Sequence, residues 1–228
     1  MALLKKRRSN SSKRRPASKT QRKVRLVLFV VGLVLVSVGL NAIRNWYNIQ
    51  HAGVPAGHTV STASTDTPSE QPVPDNYNVP ADKPLSIQLP TIKTEGFIQQ
   101  VGIDKDNQMV VPSNVHMAGW YTTGSLPGDA GLSIIDGHVH GLYAKGIFFN
   151  LGKLKSDDTF TVTYGDKSVR KFKVKQVQTV STKEADTALF VRDKTIPKQL
   201  NLITCTGRFD KDSKTYDSRV IIVAEAVL

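Results

Sequence analysis

The sequence predicts an all-β domain in its C-terminal part, either a closed barrel or a sandwich. From about Ile92 onward, short apolar runs are separated by turn residues, which is typical of strands. Apolar and polar residues alternate in Phe160–Tyr164 and again in Phe172–Val174, so these two runs form a hairpin with one buried face. About 135 residues in seven or eight short strands suit either architecture.

Further apolar runs predict the remaining strands, and several of them end in polar residues. They are Phe97–Ile103, Gln108–Val111, Leu132–Val139, Leu200–Cys205 and Arg219–Val227. Only Gly146–Leu154 and Asp186–Val191 suit helices, and both segments are short. The candidates for a functional site are therefore the polar residues at strand ends, where loops carry the chemistry of most β proteins.

The charge of the chain is concentrated at its N-terminus. The 228 residues include 31 Lys and Arg against 19 Asp and Glu, and 11 of the basic residues lie in 1–25, which has no acidic residue. The rest of the chain is nearly neutral, so no nucleic-acid partner is expected. The single cysteine excludes an internal disulfide and a thiolate-rich zinc module.

An uncharged apolar stretch follows this basic tail. Residues 26–43 comprise 18 residues with two polar side chains, and at 1.5 Å per residue they approach the hydrocarbon thickness of a bilayer, roughly 30 Å. Trp46 and Tyr47 suit an interfacial belt, and the basic excess favours a cytoplasmic N-terminus. We expect a single-pass anchor in the cell membrane with the following residues outside. A cleaved signal peptide is the alternative, although no small-residue cleavage site follows.

Residues 44–90 are predicted to be an extracytoplasmic stalk. They are rich in Pro, Ser, Thr and Gly and poor in large apolar side chains, so they bury too little surface to offset chain ordering. His51 and His58 lie in this segment and are interpreted as solvated side chains. The folded domain is then expected to occupy residues 91–228.

Cys205 lies where an apolar strand opens into a loop. A lone cysteine is most simply a small buried hydrophobic residue. In an extracytoplasmic protein, however, an unpaired thiol suggests a reactive or intermolecular role. A cysteine nucleophile needs a nearby base or cation that favours the thiolate, and a donor that stabilises the oxyanion formed on attack.

Two histidines follow another predicted strand. The spacing of His138 and His140 places both on one face if the strand continues through them. One is expected to act as the catalytic partner of Cys205, and the other to lie at the rim or to contact substrate. A zinc site made by both histidines with Cys205 is a minor alternative, since no further ligand is evident.

Arg219 begins the last strand, after the 13-residue segment Thr206–Ser218, which is predicted to be a loop. If the two strands on either side of this loop pair antiparallel, Cys205 and Arg219 lie side by side. The alternative for Arg219 is a surface cation paired with Asp217. A loop of this length between paired strands is more often functional than a simple connection.

These elements together resemble a known family. Leu202–Cys205 and Arg219–Ala224 resemble the cysteine strand and the arginine-bearing last strand of sortases, the membrane-anchored cysteine transpeptidases of Gram-positive bacteria, and Ile135–Val139 is similar to their Gly-His strand. Their upstream segments look most like the class F branch, and the similarity covers about residues 90–228. The segments are Val101–Asp104, Val111-Pro112, Gly119–Tyr121 and Pro127-Gly128.

The resemblance implies a closed eight-stranded β-barrel with short helices. It also implies that Cys205 is the nucleophile, that His138 is its general acid/base and that Arg219 stabilises the oxyanion or the substrate. Thr204 would contact substrate. His140 departs from the family motif, which requires only the first histidine, and we place it with Thr204 among the substrate contacts.

The implied reaction is cleavage of C-terminal sorting signals of the LPxTG type in surface proteins. A thioester acyl-enzyme forms and is resolved by an amine acceptor, either a cell-wall precursor or a pilin lysine. The resemblance implies neither a metal nor an organic cofactor. The alternative function is a catalytically inactive barrel that serves as a surface adhesion or scaffold module.

Overall fold

The computed structural model describes residues 76–105 and 108–227, together with Asp66 and Val73. Helix α1 (Thr182–Phe190) is accompanied by two short 3-10 helices, Pro90–Ile92 and Leu151–Lys153. The strands of this part of the chain are β1 (Pro84–Leu89), β2 (Thr94–Val101), β3 (Ala118–Tyr121), β4 (Gly131–Gly137), β5 (Thr159–Tyr164), β6 (Val169–Ser181), β7 (Lys198–Asp210) and β8 (Thr215–Val227).

The eight strands form a closed barrel in the order β1, β2, β3, β4, β7, β8, β6, β5. Pairing of β5 with β1 completes the circle, so the backbone groups of every strand can find partners within the barrel. The structure confirms the closed eight-stranded barrel with short helices, and the sandwich is the wrong alternative.

The pairing of β4 with β7 is parallel, and it positions the functional end of the barrel. A parallel pair needs a long crossover, which here consists of β5, β6 and α1. On its other side β7 pairs antiparallel with β8. We call the end of the barrel at which β4 stops the rim. β7 runs parallel to β4 and passes the rim, and β8 runs antiparallel and passes the rim in the opposite direction.

Alternate residues along the strands face two apolar layers. Inside the barrel, Leu200 and Leu202 of β7 pack in the same cluster as Ile222 of β8. Outside, a second cluster joins the sheet to α1, and its buried members are Met109, Tyr121, Ile134, Leu189, Phe190, Ile203 and Ile221. Each large apolar side chain buried in this way contributes about 1.5–3 kcal/mol.

Helix α1 begins earlier than the sequence pattern indicates. The predicted segment Asp186–Val191 covers only its second half, and the helix starts at Thr182 because Ser181 and Glu184 form a capping box. In the other predicted helical segment, Gly146–Leu154, only the 3-10 turn Leu151–Lys153 is present.

The segment Thr206–Ser218 is not the long loop predicted from the sequence. β7 continues to Asp210 and β8 starts at Thr215, so most of the segment extends the hairpin beyond the barrel. The register shifts between Thr206 and Phe209, near Gly207, whose φ of +86° suits glycine. Most residues of this extension are polar, and the single aromatic pair Phe209 and Tyr216 is too short a pattern to reveal half-buried strands.

Part of the predicted stalk belongs to the folded domain. β1 (Pro84–Leu89) lies inside the range 44–90, so the domain begins before residue 91. The Asp66 carboxylate accepts hydrogen bonds from the backbone N–H groups of Leu142 at 2.6 Å and Tyr143 at 3.0 Å. The sequence of this segment resembles a linker because it has few large apolar side chains to bury. Asp66 instead contacts the domain through polar hydrogen bonds.

The predicted tail at 1–25 and the predicted anchor at 26–43 lie outside the described residues. Within the part of the chain that the structure describes, no helix combines the length and the apolar character needed to cross a bilayer.

A buried carboxyl group interrupts the outer apolar face. Asp136 of β4 is 3% exposed, and among the described residues its Oδ1 has no hydrogen-bond partner. Gly119, opposite Asp136 on β3, makes room for it, because a Cβ at position 119 would overlap Oδ1 and the ring of Pro112. Burial raises the pKa of Asp136 well above its usual range, because desolvation favours the neutral form of the carboxyl.

We expect Asp136→Asn to flatten the dependence of stability on pH. The folded protein holds a proton on Asp136 that the unfolded chain releases above about pH 4, so the free energy of unfolding of the parent falls as pH rises toward the folded-state pKa. The variant lacks this contribution, which is worth at most about 1.4 kcal/mol per pH unit.

Urea denaturation between pH 4 and 8 measures this difference in slope. Asp212→Asn, in the exposed turn of the β7–β8 hairpin, is the matched control. Equal slopes for the parent and Asp136→Asn would show that the buried group is ionised in the folded protein, contrary to expectation.

Candidate active site

Cys205 and Arg219 are direct neighbours across the β7–β8 pair. Residues opposite each other in an antiparallel pair project on the same face, with Cβ atoms about 4.5–5.5 Å apart. The pairing predicted from the order of the strands is confirmed. The shared face is the outer one, because Ile203 and Ile221, two residues away on each strand, belong to the cluster beneath α1.

His138 follows the end of β4 at the same level. The parallel register of β4 with β7 holds almost to the end of β4, and the Thr204 hydroxyl then donates to the Gly137 carbonyl over 2.7 Å. His138 and Cys205 are the residues that come next on the two chains. Three adjacent chain segments thus place His138, Cys205 and Arg219 along the rim.

The imidazole of His138 is oriented by the backbone. His138 is 8% exposed, and its Nε2 lies 2.9 Å from the Pro112 carbonyl oxygen. A carbonyl can only accept a hydrogen bond, so Nε2 carries the proton and Nδ1 is the basic nitrogen of the neutral ring. This contact holds the ring in one orientation and one tautomer.

The Cys205 side chain is half-buried and unpaired. Burial raises the pKa of the Cys205 thiol to about 11, although the positive charge of Arg219 opposes this shift. A negative charge on Asp136 would act in the same direction as burial. At neutral pH the resting side chain is therefore a thiol, and attack on a substrate requires transfer of its proton to a base.

Arg219 is a buried cation rather than a surface one, with 1% of its surface exposed. The two N–H groups of its Nη1 are shared among three acceptors, the Thr182 hydroxyl at 3.1 Å, the Tyr216 carbonyl at 2.8 Å and the Ser218 carbonyl at 2.9 Å. Its Nη2 donates to the Thr215 hydroxyl at 3.1 Å. Among the described residues, Nε has no partner.

Asp217 is not the partner of Arg219 that the alternative interpretation requires. Its carboxylate accepts hydrogen bonds from the Arg208 backbone N–H at 3.1 Å and from the Ser218 hydroxyl at 2.9 Å. The guanidinium instead turns inward, beneath the extended hairpin, where neutral acceptors hold it.

Thr204 and His140 occupy very different environments. Thr204 is buried, and its hydroxyl ties β7 to the end of β4. His140 is exposed, since β4 ends before it, and its Nδ1 donates to the Gly141 carbonyl while its ring packs edge-on against Phe149 at 5.7 Å. The structure does not bring His140 into the row at the rim, and the predicted substrate contacts of both residues stay predictions.

Sequence reasoning missed three groups that surround this row. The Pro112 carbonyl orients His138, and Thr182 binds Arg219. Asp136 of β4 lies two residues before His138. For Asp136 a signal existed, because a carboxyl within an apolar strand next to a Gly-His pair is unusual. The contacts of Pro112 with His138 and of Thr182 with Arg219 join segments that are far apart in the chain, so no local sequence pattern predicts them.

The arrangement of the histidines does not favour zinc. In the described part of the chain, no group of three or more His, Cys, Asp and Glu side chains is arranged to hold a metal ion. His138 is engaged with Pro112, whereas His140 lies in the exposed turn that follows β4. The two rings therefore do not converge on one point with Cys205.

A cavity of about 710 Å³ lies beside β1 and β2, and its lining contains neither Cys205 nor Arg219. The chemistry of the molecule points instead to the rim. A thiol, an imidazole and a guanidinium can serve acyl transfer through a thioester as nucleophile, proton carrier and anion stabiliser.

The sequence matches a known protein family whose members are cysteine transpeptidases. The model of the sortase domain matches residues 87–227. The comparison with curated proteins gives no match.

Solved structures with a similar fold include a lid mutant of sortase A from Corynebacterium diphtheriae. It is 26% identical, with 68% of this chain and 74% of that chain covered and a TM-score of 0.49. Sortase C1 from Streptococcus agalactiae is 25% identical over 63% and 67% of the two chains, with a TM-score of 0.48. The sortase C-1 of Actinomyces oris is 24% identical over 63% and 73%, with a TM-score of 0.47.

Assignment to the class F branch stays a prediction. The family itself is established by the domain model, which covers more than half of the chain and includes all three residues of the rim. The chain belongs to the sortase family of cysteine transpeptidases.

Proposed function

We propose that this sortase cleaves C-terminal sorting signals of the LPxTG type in surface proteins and transfers the cleaved protein to an amine at the cell surface. The observation that supports this most directly is the row at the rim, in which Cys205 lies between Arg219 and the end of β4 that leads to His138. Acyl transfer to an amine needs a nucleophile, a proton carrier and an anion stabiliser, and each has a candidate in this row.

In the first step, the basic Nδ1 of His138 takes the proton of the Cys205 thiol as sulfur attacks the threonine carbonyl of the signal. The carbonyl oxygen becomes an oxyanion. Arg219 stabilises it through Nε–H, the guanidinium donor that no described group engages. Four hydrogen bonds hold the guanidinium in place before the substrate arrives, and a donor positioned in advance needs little reorganisation in the transition state.

In the second step, the His138 imidazolium returns its proton to the nitrogen of the departing glycine. The C–N bond breaks, and a thioester between Cys205 and the threonine acyl group remains. An incoming amine then attacks the thioester, loses a proton to His138 and releases Cys205 as the thiol. The acceptor is a cell-wall precursor or a pilin lysine, and the cycle consumes no cofactor.

We also propose that the enzyme acts at the outer surface of the cell membrane. The support comes from the sequence: the basic tail at 1–25 precedes the apolar stretch at 26–43, and the asymmetry of charge favours a cytoplasmic N-terminus. In this arrangement residues after 44 lie outside, where sorting signals and wall precursors meet.

The decisive test is incubation with LPxTG-type peptides and an amine, followed by mass spectrometry of the protein. We expect an acyl adduct on Cys205, the only cysteine in the chain, and a ligated product. Cys205→Ala should yield neither. Absence of adduct and cleavage across a panel of sorting peptides would favour the inactive scaffold.

Peptide cleavage should have a bell-shaped pH profile, because Cys205 and His138 must hold complementary protonation states. Burial raises the pKa of Cys205 to about 11. The alkaline limb of the profile should therefore lie above about 8.5, the pKa of an ordinary thiol. Iodoacetamide alkylation of the free enzyme measures this thiol directly and should keep accelerating beyond pH 9. A flat cleavage profile contradicts the pairing, and alkylation that reaches a plateau by pH 9 contradicts the buried thiol.

Replacement of Arg219 by Lys keeps a positive charge but removes the planar fork and the Nε–H donor. We expect kcat/KM for peptide cleavage to fall by about 100-fold or more, the usual effect of losing an oxyanion donor. Thermal melting followed by circular dichroism checks that the barrel survives. A variant that folds and cleaves at the parent rate would show that Arg219 only serves the structure.

A further inference from the structure

We propose that Thr182 is a positioning residue, which holds the Arg219 guanidinium in the orientation that acyl transfer requires. The inference rests on the role proposed above for Arg219. It concerns a residue of α1 that lies outside the row at the rim and that reaches this row only through its contact with the guanidinium.

Thr182 makes two hydrogen bonds at the buried guanidinium. Its Oγ1 accepts from Arg219 Nη1 at 3.1 Å and donates to the Tyr216 carbonyl at 2.7 Å. The same carbonyl accepts from Nη1 at 2.8 Å. Hydroxyl, carbonyl and guanidinium thus form a closed set of three contacts, in which the hydroxyl uses both its donor and its acceptor capacity.

Thr182 differs from the other partners of Arg219 in its position in the chain. Thr215, Tyr216 and Ser218 belong to β8, the strand that carries Arg219 itself, and lie within four residues of it. These contacts therefore hold the guanidinium only relative to its own strand. Thr182 is the partner that belongs to another element, so it fixes the guanidinium relative to the rest of the barrel.

The start of α1 is itself held firmly. The capping box of Ser181 and Glu184 fixes the residue that precedes Thr182 and the first turn of the helix. Further along, Leu189 and Phe190 are buried in the outer cluster that also contains Ile203 and Ile221. The hydroxyl of Thr182 is therefore anchored to the same sheet face on which Cys205 and Arg219 meet.

A cavity lies beside three of the residues that hold the guanidinium, although Arg219 itself does not line it. A cavity of about 260 Å³ is lined by Thr182, Thr215 and Tyr216, among other residues of α1 and the hairpin. If the Thr182 contact is lost, the planar fork is held only by residues of β8, the strand that carries Arg219. A displacement of about 1 Å of a catalytic group can cost roughly 100-fold in rate.

The test compares Thr182→Val, Thr182→Ser and Thr179→Val in the full chain. Valine keeps the shape of threonine but removes the hydroxyl, whereas serine keeps the hydroxyl. Thr179 is an exposed threonine of β6, close before α1, and provides the matched control. Cleavage of a sorting peptide gives kcat and KM, and thermal melting reports whether each variant folds.

For Thr182→Val we expect kcat to fall by roughly 10- to 100-fold with KM nearly unchanged, because the contact acts on the transition state. Thr182→Ser should stay within about threefold of the parent, and Thr179→Val should match the parent, since neither removes a hydroxyl that contacts Arg219. A purely structural role would lower the melting temperature without this rescue by serine and without selective loss of kcat, and that result would overturn the inference.

A double variant separates failure of this inference from failure of the proposed function. If Thr182 acts through Arg219, adding Thr182→Val to Arg219→Lys should change the rate by less than about twofold. An impaired Arg219→Lys enzyme together with a fully active Thr182→Val enzyme overturns the inference alone. A fully active Arg219→Lys enzyme removes its premise, because Arg219 then has no role for Thr182 to support.

Discussion

The parallel pairing of β4 with β7, beside the antiparallel β8, is the constraint on which the site depends. It sets the level at which His138 leaves the sheet next to Cys205, and β8 then places Arg219 on the opposite side of the sulfur. The hydrogen bond from Thr204 to Gly137 maintains this alignment at the last step of the pair. A slip of one residue would turn the reacting side chains to opposite faces of the sheet.

The face that carries these residues combines apolar packing with costly polar burial. Asp136, His138 and Arg219 are all buried on or next to a surface otherwise covered by apolar side chains. A barrel selected for stability alone would place apolar residues there, since burying unpartnered polar atoms is unfavourable. Their presence agrees with a catalytic function, in which the same dry surroundings strengthen electrostatic contacts with a developing charge.

The fold was largely readable from the sequence, and the exceptions have physical causes. Alternation and turn residues reveal strands with one apolar face, as in β5 and β6. The hairpin extension beyond Cys205 shows no such alternation because most of its residues are polar, with Phe209 and Tyr216 as an isolated aromatic pair. β1 is short and follows a segment rich in Pro, Ser and Thr. Asp66 contacts the barrel through backbone N–H groups of Leu142 and Tyr143, and such contacts leave no trace in hydropathy.

The sequence by itself determined which residues can react: a lone thiol, a histidine after a buried strand and an arginine at the start of the last strand, together with the family they resemble. Only the tertiary structure decided how these groups are held and protonated. The Pro112 carbonyl selects the basic nitrogen of His138, burial raises the pKa of Cys205, and the Thr182 hydroxyl accepts a hydrogen bond from the guanidinium of Arg219. Each of these effects depends on desolvation or on contacts between segments far apart in the chain, which local sequence cannot encode.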